Sequence, residues 1–139
     1  MKNKALLIAF LVYILTAITG LATAQNLQLK AKIILNGKAS LEKIDIKLVR
    51  VNNNMITSVS CVSTLNVDLP YNDEYLVVFS KEGYQSKYIV INTMCTLNTL
   101  FRYNCIVDLK PKEVLDDVPL QAGGIYFNKN KNEFDYYLN

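Results

Sequence analysis

Residues 73–93, DEYLVVFSKEGYQSKYIVINT, constrain the fold more than any other stretch of this chain. Tyr75, Val77 and Phe79 alternate on one face of a strand, with Leu76 and Val78 on the other. A strand apolar on both faces suits a sheet covered on both sides, here by a second sheet and by the C-terminal tail. Lys81-Glu82-Gly83 reads as a tight turn in which Gly83 supplies a positive φ, and Tyr84 opens the returning strand. The segment is a hairpin, and it carries no catalytic chemistry.

The same period-two alternation recurs at roughly ten-residue spacing from Gln25 to Leu109, the pattern of an antiparallel sandwich. Leu27, Leu29, Ala31, Ile33 and Leu35 form one half-buried strand, ended by an Asn36-Gly37 turn. Ile44, Ile46 and Leu48 form the next. The phase slips at Val49 and Val51, which predicts a bulge. Asn52-Asn53-Asn54 is a loop, and Met55 to Val62 is a β-branched, Ser-rich strand without a clear register. Leu65, Val67 and Leu69 lead into a turn at 70–73. Thr93 to Thr99 is a loop, and Leu100 to Leu109 is the seventh strand. No helical period appears after residue 24.

Residues 1–24 read as a secretion signal. Lys2 and Lys4 precede an apolar run from Ala5 to Ile18, and Ala22-Thr23-Ala24 is an A-x-A cleavage site. The small-residue stretch favours cleavage over a retained anchor, so no membrane span is expected in the mature chain. Cleavage leaves 139 − 24 = 115 residues, room for one core. Both n-region lysines leave with the signal, so 15 basic residues become 13 against 12 acidic. With no basic cluster, nothing points to nucleic acid. The expected location is the periplasm, the outer membrane or the exterior. Residues 25–109 form the sandwich, 110–119 a charged linker, and 120–139 an aromatic-rich tail in which Ile125 to Phe127 adds as an edge strand or packs over the sandwich; the alternative is that the tail docks on a partner by strand addition.

These elements resemble the carboxypeptidase regulatory-like domains, small transthyretin-like β-sandwiches of exported bacterial envelope proteins. The resemblance rests on LKAKIILNGKASLEKIDIKLV, on TLNVDLPYNDEY, and on Tyr75, Val77, Phe79, Ser80, Lys81, Gly83 and Tyr84 in a Y-x-V-x-F-S-K-x-G-Y pattern. It covers about Leu29 to Thr93, and the tail loosely resembles the ending of short envelope proteins. A small residue is usual before the Leu65 strand. Here Ser63-Thr64 replaces the expected Gly, so that turn departs from the pattern. The resemblance implies a seven-strand Greek-key-type sandwich and an accessory or interaction role, with no binding residues to carry over.

The chain has no His, which removes the commonest general base and metal ligand. Ser40-Leu41-Glu42-Lys43 fits an S-x-x-K pattern, but its companion motifs are missing and a turn explains it. Asn128, Asn130, Asn132, Glu133 and Asp135 are spaced like oxygen ligands for calcium, yet Lys129 and Lys131 between them repel a cation, and a hairpin turn accounts for them better. Asp116-Asp117 reads as a solvated pair. The expectation is therefore a non-enzymatic chain without cofactor or metal. Its partner is expected to be another envelope protein, met through Tyr126, Phe127, Phe134, Tyr136 and Tyr137. The alternative is a carbohydrate- or peptidoglycan-binding module using Tyr71, Tyr126, Tyr136 and Tyr137. A hydrolase is a distant third. Cys61, Cys95 and Cys105 are open to two readings in an oxidising compartment: small buried hydrophobes, or one bridge, for which Cys95–Cys105 is the first choice.

Overall fold

A computed structural model describes residues 25–96, 98–113 and 118–138. The signal segment and Asp116-Asp117 lie outside the described residues. Ten strands follow one another: β1 (Asn26–Leu35), β2 (Lys38–Ala39), β3 (Lys43–Arg50), β4 (Met55–Val62), β5 (Thr64–Pro70), β6 (Glu74–Ser80), β7 (Lys87–Asn92), β8 (Phe101–Leu109), β9 (Leu120–Asn128) and β10 (Glu133–Leu138). The seven strands expected from the alternation are all present. The short β2 and the two tail strands are additional.

The strands form two sheets. In the smaller, β1 is central, with β5 and β2 on one side and β8 on the other. The larger runs β10-β9-β7-β6-β3-β4. Inward side chains of both sheets make one core, including Leu27, Leu29, Ile33, Ile46, Leu69, Val77, Phe79, Ile89, Ile91 and Ile125. The architecture is the expected all-β sandwich, corrected in one respect: the sheets are mixed. β8 runs parallel to β1, from Leu27 opposite Phe101 to Leu35 opposite Leu109. β9 runs parallel to β7. Both parallel pairings follow from the connections. The loop after β7 crosses between sheets and delivers β8 to the start of β1. Tyr71 holds that end, its N–H donating to Gln25 O at 3.0 Å and its hydroxyl to Thr99 O at 2.6 Å. The segment after β8 returns to the start of β7, where Gln85 N–H donates to Lys110 O at 2.9 Å and Leu120 N–H to Ser86 O at 2.9 Å.

Turn chemistry explains the element ends. Gly83 has φ +81°, as the turn after β6 requires. Ser63 takes φ +62° at the position where the resemblance leads one to expect Gly, and its carbonyl accepts from Ile33 N–H at 2.8 Å. Gly37 and four asparagines, Asn36, Asn54, Asn72 and Asn132, occupy the other left-handed positions among the described residues, a role Asn fills best after Gly.

Three local expectations are corrected. β3 pairs in unbroken register with β4 and β6 through Arg50, so there is no bulge at Val49. The chain instead leaves the sheet in a 3-10 turn at Val51–Asn53. The register shift lies between Tyr88 and Ile89, opposite Gln121 and Gly123. Tyr84 makes an isolated bridge to Pro111 rather than opening β7, because the turn at Gly83 is followed by an irregular stretch up to Lys87. Finally, the tail does not cover the outer face of β6. It extends the sheet sideways, and Leu76 and Val78 remain half-buried.

Candidate interaction surface

The tail hairpin divides the five expected contact residues by face. Ile125, Phe127, Phe134 and Tyr136 point inward, and Tyr126 and Tyr137 outward, as the pairing of Tyr126 with Asp135 and Gly124 with Tyr137 dictates. Phe134 is buried, while Phe127 and Tyr136 are half-buried against the core. Phe101 of β8 meets Phe127 and Phe134 edge-on, with centroids 5.7 and 5.5 Å apart, and Phe127 and Phe134 are 5.3 Å apart. Tyr71 stacks on Phe134 at 6.0 Å. Such pairs contribute about 0.5–1.5 kcal/mol each beyond area burial. The cluster joins the two sheets, so three of the five residues hold the fold together. The Tyr136 hydroxyl also donates to Ala122 O at 3.2 Å.

Tyr126 and Tyr137 remain. They are 39% and 43% exposed, with centroids 6.2 Å apart and planes tilted by 46°. They lie on the outer face beside β10, which ends the larger sheet. Tyr71 and Tyr136 are withdrawn into the sandwich, and a tilted pair offers no flat platform for a sugar ring. The turn at 129–132 closes on itself: Lys131 Nζ sits 2.8 Å from Asp135 Oδ2, and Asn130 N–H donates to Asn128 Oδ1 at 3.1 Å. The lysine ammonium and the Tyr136 and Asn128 N–H groups hold the Asp135 carboxyl below its ordinary range. An internal cation thus stands where the calcium-like spacing invites one. Ser40 Oγ accepts from Glu42 N–H at 3.0 Å, an ST turn leading into β3.

The opposite edge of the larger sheet is β4. Met55, Ile56, Val59 and Val62 are all exposed there, and the strand pairs only with β3. The alternation of β4 is too weak to give its register or its exposure, and sequence reasoning passed over it. Its lack of any charged residue was the signal available.

Sequence reasoning also read Asp73 only as a turn residue. It is 1% exposed and pairs with Arg50 Nε, while its second oxygen accepts from Glu74 N–H at 2.9 Å. Thr93 Oγ1 accepts from Asp73 N–H at 3.1 Å and lies within 2.9 Å of the carbonyls of Pro70 and Asp73. Burial opposes ionisation of Asp73, but the Arg50 guanidinium and the Glu74 and Asn52 N–H groups outweigh it and hold the carboxyl below its usual range. Tyr75 Oη donates to Pro70 O at 3.0 Å. The network clamps the β5–β6 corner, with the Asp73 carboxyl buried and the Arg50 side chain partly exposed.

Among the described residues Cys61, Cys95 and Cys105 form no disulfide. Cys105 lies in mid-β8, opposite Ala31, whereas Cys95 is buried in the loop before that strand. Burial pushes the Cys105 thiol up to about 11. On the outer face of the smaller sheet, Gln28, Lys30, Asn66, Asp68, Arg102 and Asn104 line a shallow depression of about 340 Å³, with Arg102 Nε donating to Gln28 Oε1 at 3.0 Å. Among the described residues, no three Cys, Asp or Glu side chains converge on a metal position. Nor is any helix there long and apolar enough to cross a membrane.

No protein-family model matches the chain. No curated protein matches it either. A solved structure described as "Crystal Structure of S.CueP" is similar over 63% of this chain at 13% identity, with a TM-score of 0.43. The chain spans 64% of the length of that structure. Likeness at this level carries no functional argument.

Proposed function

We propose that this chain is an exported, non-enzymatic β-sandwich that works as an interaction module in the bacterial cell envelope, docking a partner protein at the tail edge of its larger sheet. One observation carries the reading: Tyr126 and Tyr137 form an outward, half-exposed ring pair beside the terminal strand β10. Exposed tyrosines give large contact area at low entropic cost. Export rests on the signal pattern of residues 1–24. The absence of His, and of a metal-holding group of Cys, Asp and Glu among the described residues, supports a binding rather than a catalytic role.

The test compares the wild type with a Tyr126→Ser, Tyr137→Ser double variant in pull-downs from envelope fractions, alongside thermal melts. The expected result is a protein captured by the wild type and lost from the variant, with the melting midpoint lowered only slightly. Capture that is identical for both, or absent for the wild type, overturns the reading.

A further inference from the structure

We infer that β4 pairs with β4 of a second copy of this chain across a two-fold axis at Val59, joining two six-stranded sheets into one of twelve. The argument begins with what β4 lacks. Edge strands are normally guarded by a charge, a proline or a bulge. Met55–Val62, MITSVSCV, contains neither charge nor proline, and it pairs with β3 in unbroken register. The other end of the sheet is guarded, since β10 carries Glu133 and Asp135, and Lys131 bridges to the latter. Only the β4 edge is left bare, and Met55, Ile56, Val59 and Val62 are exposed along it.

The occupant follows from the order of residues within the strand. In an antiparallel pair, residues directly opposite one another share a face, so a strand paired with itself must centre its two-fold axis on a residue. Val59 opposes Ile46 in β3, Cys61 opposes Ile44 and Thr57 opposes Leu48, so these three β4 residues share the inward face. Ile56, Ser58, Ser60 and Val62 share the outward one.

Centring the axis on Val59 sets Val59 against its own copy and Thr57 against Cys61. On the outward face it sets Ser58 against Ser60 and Ile56 against Val62. Ile56 then meets Val62, Ser58 meets Ser60 and Val59 meets itself, and Thr57 against Cys61 is the one mixed pair. Centring on Ser58 or Ser60 instead sets Ile56 against Ser60 or Ser58 against Val62. With no charge in β4, the self-pairing brings no like charges into opposition, which would otherwise weaken a cross-strand pair. Such a contact is isologous and closes on itself, so it stops at two copies. The arrangement concerns the edge opposite the tail and stands whether or not the tail binds a partner.

The experiment uses the full chain in the form the cell accumulates. Sedimentation should give a dimer for the wild type and a monomer for Val59→Lys, which sets two ammonium groups against each other at the axis; Val59 is half-exposed, so the variant keeps its fold. Leu138→Lys, on the opposite edge and 78% exposed, should leave the dimer intact. In a Cys61→Ser background, Val59→Cys should form a disulfide between copies on mild oxidation, because directly opposed residues lie about 4.5–5.5 Å apart, within disulfide reach. Ser58→Cys should not, since Ser58 faces Ser60. A wild type that stays monomeric up to about 100 µM, well above a micromolar Kd, overturns the inference. So does a dimer that survives Val59→Lys, equal crosslinking at positions 58 and 59, or crosslinking of position 59 to a different protein alone.

Discussion

Asp73 is buried beside Arg50, and its carboxyl is held below the ordinary range by the guanidinium and by backbone N–H groups, against the opposing effect of burial. A carboxyl depressed in this way stabilises the fold above its unfolded pKa of about 3.9, and that contribution is lost as pH falls through the lower folded value. The wild type should therefore weaken steadily below about pH 4. Asp73→Asn should be less stable at neutral pH and lose less on acidification, because it lacks that depressed carboxyl; Asp108 and Asp135, also held low, leave it some acid sensitivity. Urea melts at several pH values check this. Parallel stability curves for the two proteins would assign the acid response to other carboxyls. The sequence marked Asp73 as a turn residue and no more, because its partners Arg50 and Thr93 lie 23 and 20 residues away. Ser63 was more legible, since the turn before Leu65 was known to depart from the usual Gly. The structure places Ser63 itself in the left-handed conformation, with φ +62°.

The hairpin of β9 and β10 depends on two adjacent glycines that differ in what lies over them. A Cβ on Gly124 would meet only the ring end of Tyr137, a half-exposed side chain that can swing away. A Cβ on Gly123 would meet the backbone carbonyl of Tyr137, which cannot move without breaking the strand pairing. Gly123→Ala should thus cost about 1–3 kcal/mol, the usual range for forced overpacking, and Gly124→Ala clearly less. Denaturant midpoints of the two variants check the order, and equal losses would refute the distinction. At this scale the seven strands of residues 25–109 and the Gly83 turn were readable from alternation and turn residues, which are local. Pairing of the tail with β7 was open between strand addition and packing over the sheet. Its aromatic residues suit either arrangement.

Across the whole molecule, the tail is part of the shared core rather than an arm: Ile125 and Phe134 are buried, and the Phe101–Phe127–Phe134 cluster ties the sheets together. Losing two such side chains costs about 5 kcal/mol or more by core-truncation values, comparable to a small domain's entire stability of about 5–15 kcal/mol. A chain ending at Pro119 should lose its cooperative thermal transition and its dispersed amide spectrum. A truncated chain that melts within a few degrees of the wild type would return the tail to the status of a docking arm.

The sequence by itself determined that this chain is all-β, where its main strands run, and which side chains share a face, because alternation and turn propensity act between near neighbours. It also contains no histidine, and its first 24 residues carry the expectation of export. Only the tertiary structure decided the rest: that β8 lies parallel to β1 and β9 to β7, that Phe127, Phe134 and Tyr136 are spent on the core while Tyr126 and Tyr137 face outward, and that β4 is left at an unguarded edge. Strand order depends on pairings between residues far apart in the chain, and a strand's own alternation is the same whether it lies at the centre of a sheet or at its edge.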